Sequence, residues 1–411
     1  MGSNQQESLA NGVEVSESNG RYFWLRSYPD DVDWHAPLKG MPLQSMLEKA
    51  AKDYGDRHCT YFMGSTLTYA EINALSDKVA QGLQQRGVRK GVNVGLLLPN
   101  TPSYVIMYFG ILKAGGTVVN FNPLYTTEEL SNQARDAELS MIVTHDLAVM
   151  FPKAEAMLAN GSVGTVIVCP FAPLLPTAKS VMFKLFKSKD VSNWKSSAQI
   201  SRLISYDALI DNPGRPDPVE FDVENDIAVL QYTGGTTGIP KGAMLTHANL
   251  SINAEQVDYW ASTRLADGEE RILGILPLFH VFAMTVVMNL AISKAAAMIL
   301  MPRFELDTAL KLIRKTRPTL LPGVPTLFNA FLNSKNVKPG DMSSLKFCIS
   351  GGAALPIEVK QGFERISGSV LVEGYGLSES SPVATCNPPA QEPREGSIGL
   401  PLPGTIISVH S

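Results

Sequence analysis

The stretch that decides the fold class is YTGGTTGIPKG at residues 232–242, which follows the apolar run 227–230. Such a run is typical of a buried strand. Glycines let the backbone turn tightly and approach a ligand, and successive free N–H groups form a nest that binds anions. The threonine hydroxyls add hydrogen-bond donors, and Lys241 adds a positive charge. A strand followed by this loop therefore predicts a binding site for nucleotide phosphates.

The loop differs from the Walker A motif, in which four residues separate the glycines and a lysine precedes Ser or Thr. Here Lys241 precedes Gly242. This difference disfavours a P-loop kinase or GTPase fold. The plain alternative is a surface turn, but a turn does not require three threonines and a Pro-Lys-Gly end after a buried strand.

Strands and helices alternate on both sides of this loop, which favours mostly parallel sheets covered by helices. Capping boxes at Thr68–Glu71 and Thr126–Glu129 predict helix starts, and Pro102 is expected at the first position of another helix. The predicted strands are 94–98, 117–121, 141–144, 166–169, 227–232, 271–276, 297–301, 318–321, 345–349 and 370–373.

With 411 residues the chain is too long for one compact core. We expect a flexible tail at residues 1–30 and one large domain at 31–411. Its two lobes are predicted at about 40–170 and 220–400, and the proline-bounded segment 171–217 is predicted to connect them.

Composition excludes several classes of protein. The formal net charge is −4, which gives no general reason to bind nucleic acid. Four widely spaced cysteines suit neither a metal site nor a disulfide framework, so a reducing, cytoplasmic setting is expected. We expect neither a signal peptide nor a membrane-spanning helix.

A second motif, EGYGLSES at residues 373–380, follows another predicted strand. The ring of Tyr375 beside a glycine is suited to stack on a purine base. The carboxylate of Glu379 is suited to hold Mg²⁺, which favours one or two carboxylates together with phosphate oxygens. Between the two motifs, SGGAALP at 350–356 predicts a strand-to-helix loop close to a planar ligand, or a simple turn.

His280 lies in the apolar run LPLFHVF at residues 276–282. A lone histidine in such a run is more often a hydrogen-bonded core residue than a catalytic one. Segments 281–290 and 322–328 are candidate walls of an apolar slot, although most of their residues are expected to be ordinary core.

These motifs carry a resemblance. Residues 232–242 resemble the phosphate-binding signature of the adenylate-forming superfamily, which includes acyl-CoA synthetases, firefly-type luciferases and the adenylation domains of peptide synthetases. The longer run 230–249, with GAMLTH at 242–247, is most similar to bacterial long-chain fatty-acid–CoA ligases. The resemblance covers most of the chain after about Pro42.

The resemblance implies the α/β fold of the large N-terminal domain of these enzymes. That fold has two mostly parallel, helix-covered sheet lobes and a partial β-barrel near its C-terminal end. The implied reaction activates a long-chain fatty acid with ATP and Mg²⁺, giving acyl-AMP and then acyl-CoA. Relatives continue into a small, mobile C-terminal domain that carries a lysine. We find no YRTGD run here, so we expect an isolated domain with weak or no activity.

The resemblance also implies roles for individual residues. Ser378 departs from the usual threonine of the family motif but keeps the hydroxyl group. The expected catalytic residues are Lys241, His280 (for positioning) and Glu379, with Thr233 and Glu379 at the metal. The expected ATP-binding residues are Thr233, Gly234, Gly235, Thr236, Thr237, Gly238, Lys241, Gly352, Ala353, Glu373, Gly374, Tyr375, Gly376 and Ser378. The expected acyl-binding residues are His280, Val281, Phe282, Gly323, Gly351 and Gly352.

Expected partners are ATP, a fatty acid and coenzyme A, with a second copy of the chain as a further candidate and no nucleic acid. The lysine- and aromatic-containing stretch 174–189 suits contact with the inner face of the membrane, or else a solvated connector helix. Three alternatives to the main hypothesis remain. They are an adenylate former for another carboxylic acid, a non-catalytic nucleotide or acyl binder, and an inert structural domain.

Overall fold

A computed structural model describes residues 22–234, 240–389, 391, 394 and 396–408. Its strands are β1 (His58–Phe62), β2 (Ser65–Thr68), β3 (Asn93–Leu97), β4 (Thr117–Asn120), β5 (Met141–His145), β6 (Thr165–Cys169), β7 (Leu203–Ser205), β8 (Ile227–Thr233), β9 (Lys241–Thr246), β10 (Arg271–Gly274), β11 (Ala297–Leu300), β12 (Leu320–Gly323), β13 (Phe347–Ser350), β14 (Val370–Gly376), β15 (Val383–Cys386) and β16 (Leu400–Pro401).

The helices are α1 (Leu43–Tyr54), α2 (Tyr69–Gln84), α3 (Pro102–Lys113), α4 (Thr127–Asp136), α5 (Phe151–Ala159), α6 (Thr177–Phe186), α7 (Tyr206–Ile210), α8 (His247–Trp260), α9 (Val281–Ala283), α10 (Leu290–Lys294), α11 (Leu306–Thr316), α12 (Pro325–Leu332) and α13 (Ile357–Ser367). A π-helical segment, Met284–Asn289, joins α9 to α10.

The strands form two sheets. The first has the order β7-β6-β5-β3-β4-β8-β9 and is parallel except for β9. The second has the order β16-β15-β14-β13-β12-β10-β11-β1-β2, with parallel strands from β14 to β1 and antiparallel strands at both ends. The predicted α/β class with two mostly parallel, helix-covered sheets is confirmed. The predicted partial β-barrel is not confirmed, because β15 and β16 extend the second sheet.

The sheets do not divide the chain into the lobes predicted at 40–170 and 220–400. Strand β1 pairs with β11 in the second sheet, and β8 pairs with β4 in the first. Strand β7, from the predicted connector, adds to the edge of the first sheet. The prediction missed this exchange because an apolar run indicates a buried strand but not its neighbour.

Local signals placed the helices well. The Thr68 hydroxyl accepts from the Glu71 N–H, and the Glu71 carboxylate accepts from the Thr68 N–H, so the first predicted capping box is present. The box at Thr126–Glu129 is also present. A further box begins at Thr246, where the Asn249 amide takes the place of the glutamate, and it starts α8 directly after β9.

The predicted tail of residues 1–30 is too long at its C-terminal end. Trp24 is buried, and the ring of Tyr28 packs edge-on against Trp260 at 5.2 Å. The Tyr28 hydroxyl donates to the Pro401 carbonyl at 3.0 Å. Aromatic burial therefore ties this segment to the second sheet, an effect that the polar composition of its surroundings concealed.

Within the described residues, no helix combines the length and the apolar composition needed to cross a membrane.

Candidate active site

The glycine-rich motif connects two antiparallel strands. Strands β8 and β9 pair so that Thr233 lies opposite Lys241 and Tyr232 lies opposite Gly242. The predicted residues Gly235, Thr236, Thr237 and Gly238 lie outside the described residues. Gly234 and Lys241 are exposed and Thr233 is half-buried. The hydroxyl and the ammonium group predicted to bind phosphate therefore flank the base of the same hairpin.

The other predicted residues gather at one edge of the second sheet. Strands β10, β12, β13 and β14 run parallel, so their carboxyl ends meet at this edge. The register aligns Gly323 with Ser350, and Ser350 with Glu373. Ligands of open α/β sheets bind in crevices at the carboxyl ends of strands. The edge therefore carries the glycine-rich segment that follows β13 and the Tyr375 segment of β14.

At two positions of this edge, neighbouring atoms lie so close to the backbone that only glycine fits. A Cβ atom on Gly351 would lie 2.8 Å from the ring of Phe282, so the ring rests directly on the backbone. A Cβ atom on Gly376 would lie 2.0 Å from the Pro382 carbonyl oxygen. Any other residue would push these segments apart. Two residues predicted to line the acyl slot, Phe282 and Gly351, are consequently in contact.

The acidic turn of the second motif lies beside the glycine-rich hairpin formed by β8 and β9. A 3-10 helix of one turn, Ser378–Ser380, lies against β9, the strand that begins at Lys241. Glu379 and Tyr375 are both exposed, with 42% of Tyr375 accessible. The two motifs, more than 130 residues apart in sequence, therefore lie on the same side of the molecule. The catalytic and binding roles of these residues remain predictions.

Glu373 has a structural contact that its motif did not reveal. Its carboxylate accepts from the Leu355 backbone N–H at 3.2 Å, and burial raises the pKa of Glu373 above its ordinary value. This bond ties the end of β14 to the loop that carries Gly352 and Ala353, both of which are exposed. Glu373 thus holds together two segments predicted to bind ATP, the end of β14 and the loop at 350–356.

His280 caps a short helix. Its Nδ1 accepts from the backbone N–H of Phe282 at 3.3 Å, and the backbone N–H of His280 donates to the Pro277 carbonyl at 3.0 Å. His280 is exposed at the surface, but the protein atoms packed around its ring partly desolvate it and lower the pKa of the imidazole. A neutral imidazole that accepts at Nδ1 carries its proton on Nε2. His280 therefore offers one donor to an anionic group, which suits positioning better than proton abstraction.

Sequence reasoning missed two buried polar residues, in the loop after β3 and on α3, that hydrogen-bond to the loop of His280. The Asn100 side chain accepts from the Leu278 N–H at 2.7 Å and donates to the Leu276 carbonyl at 2.7 Å. The Tyr104 hydroxyl lies 2.9 Å from the Leu278 carbonyl oxygen. Asn100 follows the apolar strand β3, and a polar side chain just after a buried strand was the available signal.

The residues predicted to bind the metal, Thr233 and Glu379, carry oxygen donors of the kind that Mg²⁺ prefers. The described residues contain no cluster of three or more His, Cys, Asp or Glu side chains able to hold a metal by themselves. Thr233 and Glu379 supply a hydroxyl and a carboxylate, both hard oxygen ligands. Mg²⁺ commonly takes one or two protein oxygens and completes its shell with phosphate oxygens and water.

The glycine-rich hairpin of the first sheet, the Ser378–Ser380 turn beside it and the loop of His280 bring the residues predicted to bind a nucleotide to neighbouring parts of the molecule. The family model described as "AMP-binding enzyme" matches residues 47–411. The chain belongs to this family, and the predicted family resemblance is confirmed.

Individual relatives narrow the class. The chain is 43% identical over 394 residues to a long-chain-fatty-acid–CoA ligase of Bacillus subtilis, covering 94% of this chain and 69% of that protein. It is 37% identical over 387 residues to the ligase of the same name in Escherichia coli O157:H7, covering 93% and 68%. The chain is thus an enzyme of the adenylate-forming CoA ligase family.

A solved structure supports the fold. The long-chain-fatty-acid–CoA ligase of Archaeoglobus fulgidus superposes with a TM-score of 0.74 at 24% identity, covering 89% of this chain and 69% of that chain. At this identity the likeness concerns the fold alone.

Proposed function

We propose that this enzyme activates a long-chain fatty acid with ATP, forming acyl-AMP and then acyl-CoA. The observation that carries the proposal is the contact of the Ser378–Ser380 turn with β9, which brings Glu379 to the strand of Lys241. The acyl substrate is proposed from the names of the two bacterial relatives and from the apolar residues beside His280.

In the first step a carboxylate oxygen attacks the α-phosphorus of ATP, a new P–O bond forms, and pyrophosphate leaves. Both reactants are anions, so the attack requires neutralisation of charge. Lys241 and Thr233 would neutralise and bind the phosphates, while Tyr375 would stack on adenine and Ser378 would bind a phosphate oxygen. His280 would donate from Nε2 to the substrate carboxylate or to the leaving group and thereby orient the attack.

Magnesium would be held by Glu379 and Thr233 together with the nucleotide, where it supplies positive charge to the phosphates. In the second step the thiol sulfur of coenzyme A attacks the acyl carbon and AMP leaves. We further propose that residues 31–411 serve as the ATP- and acyl-binding domain. Val281, Phe282, Gly323, Gly351 and Gly352 would line the start of the acyl slot. A homodimer stays a prediction.

Fatty-acid-dependent exchange of labelled pyrophosphate into ATP tests the proposal. We expect weak but measurable exchange with a long-chain acid and Mg²⁺, and little stimulation by aryl, amino or medium-chain acids. A higher rate with one of those acids would assign the enzyme to another acid. ATP binding without exchange would favour a non-catalytic binder, and the absence of any ATP-dependent shift in Tm would favour an inert domain.

A separate feature supports contact with a membrane surface through the stretch 174–189. In helix α6 the side chains of Val181, Met182, Leu185 and Phe186 are 52%, 58%, 68% and 78% exposed. At about 100° per residue these four side chains cover one continuous face of about 140°. The opposite side carries Phe183, which packs against Phe171 at 5.4 Å. The helix thus turns its apolar face away from the core.

The positive charge around α6 favours a membrane surface that carries negative charge. Residues 177–190 hold four lysines and one aspartate, a local charge of +3 on a chain whose net charge is −4. Lysines attract anionic lipid headgroups by about 1 kcal/mol each near the surface. We therefore propose an anionic bilayer as the occupant of the α6 face, from which the enzyme would collect its acyl substrate.

Sedimentation with lipid vesicles tests this contact. The protein should bind phosphatidylglycerol-containing vesicles, and L185S/F186S should weaken binding at least about tenfold, because each inserted side chain contributes about 1.5–3 kcal/mol. The matched control is F23S/L124S, which removes two apolar side chains that are 77% and 86% exposed elsewhere. Equal binding by both variants, or equal binding to neutral vesicles, would contradict the proposal.

A further inference from the structure

The side chain of Gln231 bridges the phosphate hairpin and the His280 loop. It is buried on β8, two residues before Thr233, a separation of about 7 Å along the strand. Its Nε2 donates to the carbonyl of Phe279, the residue next to His280, at 3.0 Å. A single amide group therefore links the strand that carries the phosphate hairpin to the residue preceding the predicted positioning histidine.

The first sheet holds this amide in one orientation. The Asn120 Nδ2 donates to the Gln231 Oε1 at 3.0 Å, and the Asn120 Oδ1 lies 2.8 Å from the Tyr104 hydroxyl. Gln133 in turn donates to the Asn120 backbone carbonyl at 2.8 Å. Because Gln231, Asn120 and Gln133 are all buried, each of these polar groups must keep its partner. The Gln231 amide has its oxygen and its nitrogen both engaged.

The loop that receives this bond relies on side chains for its position. Leu276 and Leu278 are bound by Asn100, and Leu278 also lies beside Tyr104. Phe279, one position before His280, is bound by Gln231. Three polar side chains, from the loop after β3 (Asn100), from α3 (Tyr104) and from β8 (Gln231), thus hold the backbone of the loop that carries His280.

We propose that Gln231 is a positioning residue that sets the place of His280 relative to the nucleotide phosphates, a role that rests on the proposed function. Gln231 is buried, and its amide oxygen and nitrogen both have partners within the protein. It acts by holding the Phe279 carbonyl, so that the Nε2–H of His280 meets the carboxylate when the triphosphate lies on the adjacent hairpin. Misplacing a positioning group by about 1 Å can cost about 100-fold in rate.

Gln231→Leu tests this role because it removes both hydrogen bonds of the side-chain amide while keeping a side chain of similar volume. We expect kcat for pyrophosphate exchange to fall about 10- to 100-fold, with the KM for ATP changed less than about threefold. Gln231→Glu is the second variant, since it keeps the acceptor for Asn120 but loses the donor to Phe279. Gln231→Glu should also lower kcat for pyrophosphate exchange, as Gln231→Leu does.

The matched control is Gln256→Leu. Gln256 is also buried, accepts from an asparagine (Asn253, 2.8 Å) and donates to a backbone carbonyl (Pro403, 2.7 Å). It lies on α8, outside the proposed machinery. Gln256→Leu should lower Tm about as much as Gln231→Leu while kcat stays within about twofold of wild type. An equal loss of kcat in both variants would overturn the proposal, because it would indicate general destabilisation.

The decisive comparison places Gln231→Leu in the His280→Ala background. If Gln231 acts through His280, the second substitution should lower kcat less than about twofold further. Two full, multiplicative losses would overturn the proposal. Wild-type protein that neither binds ATP nor exchanges pyrophosphate would instead contradict the proposed function itself, so the two failures are distinguishable.

Discussion

Replacing Glu379 with glutamine should lower acyl-adenylate formation by about 100- to 1,000-fold, the range seen when one preorganised group that stabilises developing charge is removed. Glu379 is an exposed carboxylate in a turn that lies against β9. Glutamine keeps the size of the side chain but removes the charge that would hold Mg²⁺. The measurement is pyrophosphate exchange over a titration of Mg²⁺, in which the variant should require more metal.

Glu269→Gln is the matched control for this prediction. Glu269 is an exposed acidic residue just before β10, at the amino end of the parallel strands and thus opposite the candidate site. Its replacement should leave both the exchange rate and the magnesium requirement within about twofold of wild type. A normal rate and a normal magnesium requirement in the Glu379 variant would remove the metal role of this residue.

The second large effect is expected at Lys241. Changing it to methionine should weaken ATP binding by about 10- to 100-fold, because a hydrogen bond to a charged group contributes about 1.5–3 kcal/mol. Lys241 is exposed and lies opposite Thr233 at the base of the hairpin. The salt bridges between described residues do not involve it, so its charge is available to a ligand.

Titration calorimetry with ATP and Mg²⁺ at low and high salt measures this effect. The difference between wild type and variant should shrink as salt rises, since an exposed charge is screened. Lys241→Arg should keep part of the affinity, and Lys311→Met, an exposed lysine on α11, should keep all of it. ATP affinity that is unchanged in Lys241→Met at low salt would refute the phosphate role.

Part of the site was predictable because its chemistry is local. Glycines, threonines and a lysine in one loop indicate an anion site wherever the loop lies, and an aromatic residue and a carboxylate in one turn indicate a nucleotide and a metal. In the folded chain the Ser378–Ser380 turn lies beside β9, the strand that begins at Lys241. The residues that support them were not predictable, since Gln231 meets Asn120 across 111 positions and Phe279 across 48.

The helix starts at Thr68, Thr126 and Pro102 could be inferred from residue patterns, and so could the positions of most buried strands and of the glycine-rich loop after β8. These features depend on neighbours within a few positions, where caps, turns and periodicity act. Tertiary folding alone decided that β1 joins the second sheet and β8 the first, and that an apolar face of α6 is left uncovered. Strands pair through backbone groups that every residue shares, so side-chain identity does not name the partner.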